Sequence, residues 1–580
     1  MEKLKREIPD YLRQYVVDQD YELYSPMDQA SWRYIMRVSK NFYKDYAHEK
    51  YIDGLKQTGI TIDSIPRIHE MDEKLKQLGW RAVSITGFIP PAVFLEFLSL
   101  SLLPIACDIR RPGNVEYTPS PDIVHEAAGH APIIADPDYA RYLHKFGEIA
   151  RNAIFSKEDF DVYLCVKRLS DIKEDPSSTE QEIAEAQRLL DEANAKVSYV
   201  SEATKLSRLG WWSIEYGLFK KQDDYLIYGA GLLSSVSEGY NAIHANVPRR
   251  LLDVSAVEVD FDITKPQPQL FYTEDFQHLE TIIDELADSM AYRRGGIYGM
   301  NVAKKARTRN TLVLDSGLQI SGVVERMIED DNQIVFFKLS GPSQLSFNDK
   351  QLTGHGPKHH PQGYSTPMGP LKSGGLLSKL SEKELVAEGL VIGNSVELEF
   401  ASGIQLVGTL TGILPAPQGS EHRQLVFTFE NCKVFSESEV FFEPDWGVFD
   451  LACGTEVVSV FGGAADRGAY RHETGEFEVA MKPQTSNVTS EDQPLVPLYA
   501  LVREVREQSS VEDRLGELEE VYHRLKADFP KDWLLRLELL ELVYGVSTEL
   551  SAQLRQDLEG LQGQGDPLKT LIQRGLEIIG

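Results

Sequence analysis

The spacing of apolar residues changes character twice along the chain. Through about residue 303 apolar positions recur at helical intervals, as in Trp32-Arg33-Tyr34-Ile35-Met36-Arg37-Val38 and from Leu279 to Met290, and few runs alternate as strands do. A mainly α unit over 1–303 is the expectation. From 304 to 480 the pattern turns to short β-branched and aromatic runs, Thr311 to Leu314, Gln333 to Leu339, Ser395 to Phe400 and Gln424 to Phe429, punctuated by Gly, Pro and Ser. That predicts an all-β unit. Ser316-Gly317-Leu318-Gln319-Ile320-Ser321-Gly322 recurs 86 residues later as Ser402-Gly403-Ile404-Gln405-Leu406-Val407-Gly408, and each copy is followed by a further strand signal, at Gln333 and at Gln424. The β unit is therefore read as an internal duplication, a double sandwich or paired barrel.

Residues 480–495 are polar and aperiodic and read as a linker. Beyond it, over 495–580, Leu515, Leu518, Val521, Tyr522 and Leu525, then Leu534, Leu537, Leu540, Leu542 and Val543, form helical stripes interrupted at Phe529-Pro530. A small helical C-terminal region follows from this. Its stripes fit internal packing better than a binding face, with self-association or a protein partner as the alternative use. Between 156 and 200 a turn at Asp175-Pro176-Ser177-Ser178-Thr179 separates two helix-period segments, and Thr179 or Ser178 can cap the second. This predicts a helical hairpin.

Composition narrows the class. At 580 residues, 42% apolar and 26% charged, the chain has the material for several folded units. The charge, 60 basic against 89 acidic residues, is −29 and disfavours nucleic acid and anionic lipid as partners. Four cysteines without a CxxC pair fit a reducing, cytoplasmic setting. The first residues lack the apolar core of a secretion signal, and the longest greasy run, Phe97 to Cys107, is short and contains Pro104, so no membrane span is expected.

Chemistry concentrates in Pro121-Asp122-Ile123-Val124-His125-Glu126-Ala127-Ala128-Gly129-His130. At about 100° per residue, His125 and His130 would stand about 140° apart on an unbroken α-helix and could not share an ion. Gly129 and Pro132 supply a helix end that would swing His130 inward. The zinc protease motif needs histidines four apart and is excluded. A third ligand is sought elsewhere, and Glu215 is the strongest candidate, because a carboxylate in the apolar helix Leu209 to Leu218 calls for a counter-charge. Two imidazoles and one carboxylate match the open-sided arrangement of non-haem iron(II) oxygenases. Gly229-Ala230-Gly231 lacks the Lys-Ser/Thr of a phosphate loop and reads as tight backbone packing. Gly354-His355-Gly356-Pro357-Lys358-His359-His360 has no evident partner ligand and reads as an exposed loop.

These segments, with Tyr228-Gly229-Ala230-Gly231-Leu232-Leu233-Ser234-Ser235 and Pro266-Gln267-Pro268, resemble the pterin-dependent aromatic amino acid hydroxylases over about residues 1–300. The resemblance implies the family's mainly α catalytic fold, with His125, His130 and Glu215 as catalytic Fe(II) ligands. It also implies a cofactor, tetrahydrobiopterin or a related reduced pterin, contacted by Gly87, Ile89, Phe94, Leu95 and Glu126, with Phe94 stacking on its ring. Substrate contacts carried over in the same way are Arg110, gripping the substrate carboxylate bidentately while paired with Asp122, together with Thr118, Pro121, Trp211, Tyr216 and Ser234. Hydroxylation of phenylalanine to tyrosine by O2 is the implied activity. Tyrosine or tryptophan as substrate, or a non-catalytic scaffold, are the alternatives. Residues 156–200 are extra relative to the family pattern, and Gly210, Tyr216, Pro91 and Tyr272 depart from it near the pocket.

Overall fold

The computed structural model describes residues 2–579 except 88, 116–120, 175–177, 263–264, 476–482, 509 and 565. The first unit is organised around the helix Pro26–Tyr46. Ser25 caps it reciprocally with Asp28, and Trp32, Ile35 and Met36 on its inner side are buried. Strands here are short. Arg81–Ile85 pairs in parallel with Leu102–Ala106, and a four-stranded sheet runs in the order Asp224–Ile227, Gly217–Lys221, Leu270–Thr273, Arg249–Leu251. The helix Gly296–Ala306 ends at Arg307, which has a left-handed backbone, and the first strand of the β unit, Arg309–Leu314, follows.

The hairpin consists of Lys157–Glu174 and Glu180–Ala195, the second capped by Thr179 with Glu182 in a capping box. Its base is tied down by Glu158, ion-paired with Arg307, and by Asp159, which accepts from Thr204 Oγ1 at 3.0 Å. Among the described residues no helix is long and apolar enough to cross a membrane.

Both copies in the β unit share one plan. A strand, a Ser-Gly turn with positive φ at Gly317 or Gly403, a long strand, a second long strand and a short fourth strand follow in order. In the first copy these are Arg309–Leu314, Leu318–Asp330, Gln333–Phe347 and Gly363–Pro367; in the second, Ser395–Glu399, Gln405–Pro415, Gln424–Phe435 and Phe449–Ala452. All neighbouring pairs are antiparallel, and the fourth strand pairs with the third in each copy. Val457–Gly462 closes the first sheet by pairing with Arg309–Leu314.

The C-terminal region folds as helices Val496–Gln508, Leu515–Asp528, Leu534–Val543, Thr548–Leu561 and Asp566–Ile579. Leu518, Val521, Leu525, Leu534, Leu540 and Val543 are buried in one apolar cluster with the first unit, so the stripes serve internal packing. Arg33, on the helix Pro26–Tyr46, meets Glu538 in a two-point ion pair with side chains 1% and 4% exposed. The stretch read as a linker is not free where described. Gln484 accepts from the Asp20 N–H at 2.9 Å and the Asn487 amide donates to the Ile109 carbonyl. Amide side chains paired to a remote backbone leave no periodic trace in a sequence.

Candidate metal centre

His125 and His130 lie on one continuous turn, but that turn is a π-helix, Val124–His130. Bonding i to i+5 brings residues five apart onto the same side, which α-helical winding cannot do. The expected helix end between them is therefore corrected: His130 keeps helical backbone angles and a 3₁₀ turn, Ala131–Ala135, continues directly. Gly129 serves a different purpose from the one anticipated. A Cβ there would lie 2.7 Å from the Ala230 carbonyl oxygen, so glycine permits the Gly229-Ala230-Gly231 segment to pass close by. The Tyr51 hydroxyl donates to the Ala128 carbonyl at 3.1 Å and supports the wide turn from outside. Glu215 also ends a π-helix, Trp211–Glu215. Glycine is required at 229 as well, where a Cβ would sit 2.4 Å from the Glu215 carbonyl oxygen.

The three side chains converge. Nε2 of His130 is 3.2 Å from Nε2 of His125 and 3.2 Å from Oε1 of Glu215, and Nε2 of His125 is 3.5 Å from Oε2 of Glu215. Burial by itself would raise the Glu215 carboxyl, but His130 and His125, with the Gly231 N–H, outweigh it and hold it at about 2. Burial pushes His125 down to about 4, whereas the Glu215 charge overcomes burial at His130 and raises it.

Ser234 fixes the His125 ring. Its hydroxyl lies 3.2 Å from the Gly231 carbonyl and 3.1 Å from His125 Nδ1, so with its one proton given to the carbonyl it accepts from the imidazole. Nδ1 then carries the ring proton and Nε2 presents a lone pair to the cluster. Ser234, expected at the substrate, thus holds a candidate ligand. Asp122 accepts from the His125 N–H at 3.1 Å, orienting the start of the π turn, and grips Arg110 at 2.8 Å through both oxygens. Burial would raise Asp122, but Arg110 outweighs it and holds it low.

Arg110 is engaged on three sides by the chain itself. Its Nε and Nη2 face Asp122, and Nη1 donates to the Ser234 and Val115 carbonyls. Among the described residues these contacts take four of its five N–H groups, and one Nη2 proton has no partner there. Trp211 stacks on Tyr216 and on Phe261, with centroids 4.5 and 4.3 Å away, and donates to Gln267. Phe261 was not singled out from the sequence, where it is one aromatic residue in an acidic stretch. Pro121 is partly exposed, and Thr118 lies outside the described residues.

Of the pterin candidates, Phe94 is partly buried with its ring 6.4 Å from that of His130. Glu126 is buried, its carboxyl raised by burial to about 8, and among the described residues its Oε2 has no hydrogen-bond partner although it lies 3.9 Å from His130 Nε2. Gly87 has a positive φ and donates its N–H to Asp108. Ile89 is buried in a neighbouring apolar cluster, and Leu95 is partly buried.

The Gly354–His360 segment is an exposed loop only in part, at Gly354, Lys358 and His359. His355 and His360 are largely buried and, with His359, face Asp450, a residue far along the chain that no local motif marks.

The family model described as biopterin-dependent aromatic amino acid hydroxylase matches residues 8–157 and 186–338, more than half of the chain. The unmatched stretch between them falls in the helical hairpin. Phenylalanine-4-hydroxylase of Caulobacter vibrioides is 26% identical over 273 residues, spanning 47% of this chain and 75% of that protein. The protein of the same name from Pseudomonas aeruginosa is 26% identical over 270 residues, 46% of this chain and 86% of that one. A crystal structure of Chromobacterium violaceum phenylalanine hydroxylase with iron(III) and 7,8-dihydrobiopterin is 23% identical with a TM-score of 0.38, covering 48% of this chain and 86% of that one.

Proposed function

Because the chain belongs to the biopterin-dependent aromatic amino acid hydroxylase family, we propose that residues 1–303 hydroxylate L-phenylalanine to L-tyrosine, with Fe(II) held by His125, His130 and Glu215 and a reduced pterin as co-substrate. The observation that carries this reading is the mutual approach of two imidazole nitrogens and one carboxylate to 3.2–3.5 Å. Soft-to-borderline nitrogen donors with a single carboxylate suit iron(II) and leave open positions. When bound, iron and reduced pterin supply the activation of O2 and the electrons that ring hydroxylation needs.

The chain's own residues supply placement. Ser234 keeps the His125 Nε2 lone pair turned inward, and the Gly231 N–H steadies Glu215. Phe94 offers an aromatic face to a flat heteroaromatic ring beside His130, and the unpartnered Glu126 Oε2 is a hydrogen-bonding site for such a ring or its water. Arg110 positions the amino acid carboxylate through its charge and its remaining Nη2 proton, while Asp122 holds the guanidinium in place. Tyr216, Trp211 and Pro121 line the aromatic side of the pocket, the first two held by the stack that Phe261 extends.

The test is turnover. Iron-loaded protein with tetrahydrobiopterin and oxygen is incubated separately with phenylalanine, tyrosine and tryptophan, and products are identified by mass. Tyrosine formed from phenylalanine in preference to the other two reactions supports the proposal. Turnover of tryptophan alone would overturn the substrate, and turnover of none would overturn the activity.

A further inference from the structure

The β unit contains a second convergence of metal-binding side chains, and we propose that His355, His359, His360 and Asp450 form a closed site for a zinc-class divalent ion that fastens the two β copies together. The histidines lie on the loop before the fourth strand of the first copy, and Asp450 lies on the fourth strand of the second. One ligand atom from each of the four lies within 4.8 Å of all the others. His355 Nδ1, His359 Nε2 and His360 Nε2 face a single atom, Asp450 Oδ2, at 3.4, 3.0 and 3.5 Å. Metal bonds of about 2.0–2.2 Å in tetrahedral geometry place ligand atoms about 3.3–3.6 Å apart. The edges from Asp450 Oδ2 to His355 and His360 fall in that range, and the one to His359, at hydrogen-bonding distance, is 3.0 Å.

Hydrogen bonding alone does not satisfy the cluster. An oxygen offers about two lone-pair sites, so three ring nitrogens cannot all be served by Oδ2. Among the described residues His355 Nδ1 and His360 Nε2 are buried without a hydrogen bond of good geometry, His355 reaching Asp450 only at 3.4 Å, with side chains 13% and 10% exposed, and the Asp450 side chain is 0% exposed. Orphaned nitrogens aimed at a buried carboxylate are a donor set that a cation would satisfy. The other Asp450 oxygen is committed elsewhere: Thr428, its direct cross-strand neighbour, donates to Oδ1 at 2.6 Å, which turns Oδ2 alone toward the imidazoles.

The surroundings make this a built site. His355 and His360 backbone carbonyls accept from the Leu345 and Ser343 N–H groups, both at 2.9 Å, which pins the loop to the first sheet. Tyr364, on the first copy's fourth strand, donates to the Asp450 carbonyl at 2.7 Å and packs its ring edge against His360. Three imidazoles and one carboxylate favour zinc over calcium or magnesium, which prefer oxygen throughout, and over copper(I), which prefers sulfur. Four protein ligands complete a tetrahedron and leave no open position, the pattern of a structural site. His359, 40% exposed, is on the side from which an ion enters.

The experiment uses the full chain carrying Glu215→Ala, which disables the first centre, stripped with a chelator and titrated with Co(II) as a spectroscopic probe. One equivalent bound with the intense visible bands of tetrahedral Co(II), displaced by Zn(II), is expected, together with a rise in unfolding temperature on adding Zn(II). Adding His359→Gln and His360→Gln should abolish both the bands and the thermal shift. Should that version fail to fold, His359→Gln alone, at the most exposed ligand, is expected to weaken Co(II) binding at least tenfold with circular dichroism unchanged. Absence of stoichiometric Co(II) binding, weak octahedral-type bands, or binding indifferent to His359→Gln would overturn the proposal.

Discussion

Replacing Ser234 with Ala removes one oxygen and asks how much the proposed iron ligand His125 depends on the group behind it. The hydroxyl accepts the His125 Nδ1 proton at 3.1 Å and donates to Gly231. Without it the ring either keeps an unpartnered buried N–H, at about 1–3 kcal/mol, or shifts its proton to Nε2 and withdraws the lone pair from the metal. Loss of the partner behind a metal-ligating histidine typically lowers metal affinity about 10–100-fold. That corresponds to about 1.4–2.7 kcal/mol at about 1.36 kcal/mol per decade, inside the range set by the unsatisfied donor. Fe(II) titration under anaerobic conditions measures the affinity directly, and turnover at saturating iron separates binding from later steps. The expected result is weaker iron binding with largely preserved turnover once the metal is saturating, and partial recovery in Ser234→Thr, which restores a hydroxyl. Iron affinity unchanged in Ser234→Ala would refute the tautomer argument.

Other perturbations test the framework around the site. Glu538→Ala strands Arg33 in the contact between tail and first unit, and should destabilise the chain by about 3–5 kcal/mol in urea unfolding, whereas the paired apolar replacement Arg33→Met with Glu538→Leu should cost far less. A loss below 1 kcal/mol in Glu538→Ala would contradict the packing described. Gly129→Ala forces a methyl against the Ala230 backbone and should cost about 1–3 kcal/mol along with iron affinity, because Ala230 precedes the Gly231 N–H that steadies Glu215. Gly113→Ala, where a Cβ meets nothing within 4 Å, is the control and should leave both unchanged.

Much of the first centre is legible in the sequence, because polar residues in apolar segments need partners. Glu215 stands out on that ground, His125 and His130 through the motif that resembles the hydroxylases, and the three meet. The turn that joins them is harder to read. A spacing of five looks incompatible with one helix when 3.6 residues per turn are assumed, and the supports of the π turn, Tyr51 and the Ala230 backbone, are remote in the chain. The same locality limit explains Arg110. Its pairing with Asp122 is what the resemblance implies, but the carbonyls of Val115 and Ser234 that occupy Nη1 are backbone groups, invisible to any residue pattern. In the β unit the Ser-Gly echo announces a repeated plan, because a positive-φ turn before a strand demands glycine. The histidine loop loses its meaning when read alone, since Asp450 belongs to the other copy and approaches only through the fold. The tail's stripes give its helices but not their docking surface, since the cluster joining Leu518 and Leu534 to Trp32 and Ile35 depends on tertiary contact.

The most direct test of the central claim is a crystal structure of the iron-loaded chain with anomalous data at the iron edge. The account predicts an iron peak about 2.0–2.2 Å from His125 Nε2, His130 Nε2 and a Glu215 carboxylate oxygen. Iron absent from that position while bound elsewhere, or Glu215 turned away from the two imidazoles, would contradict it.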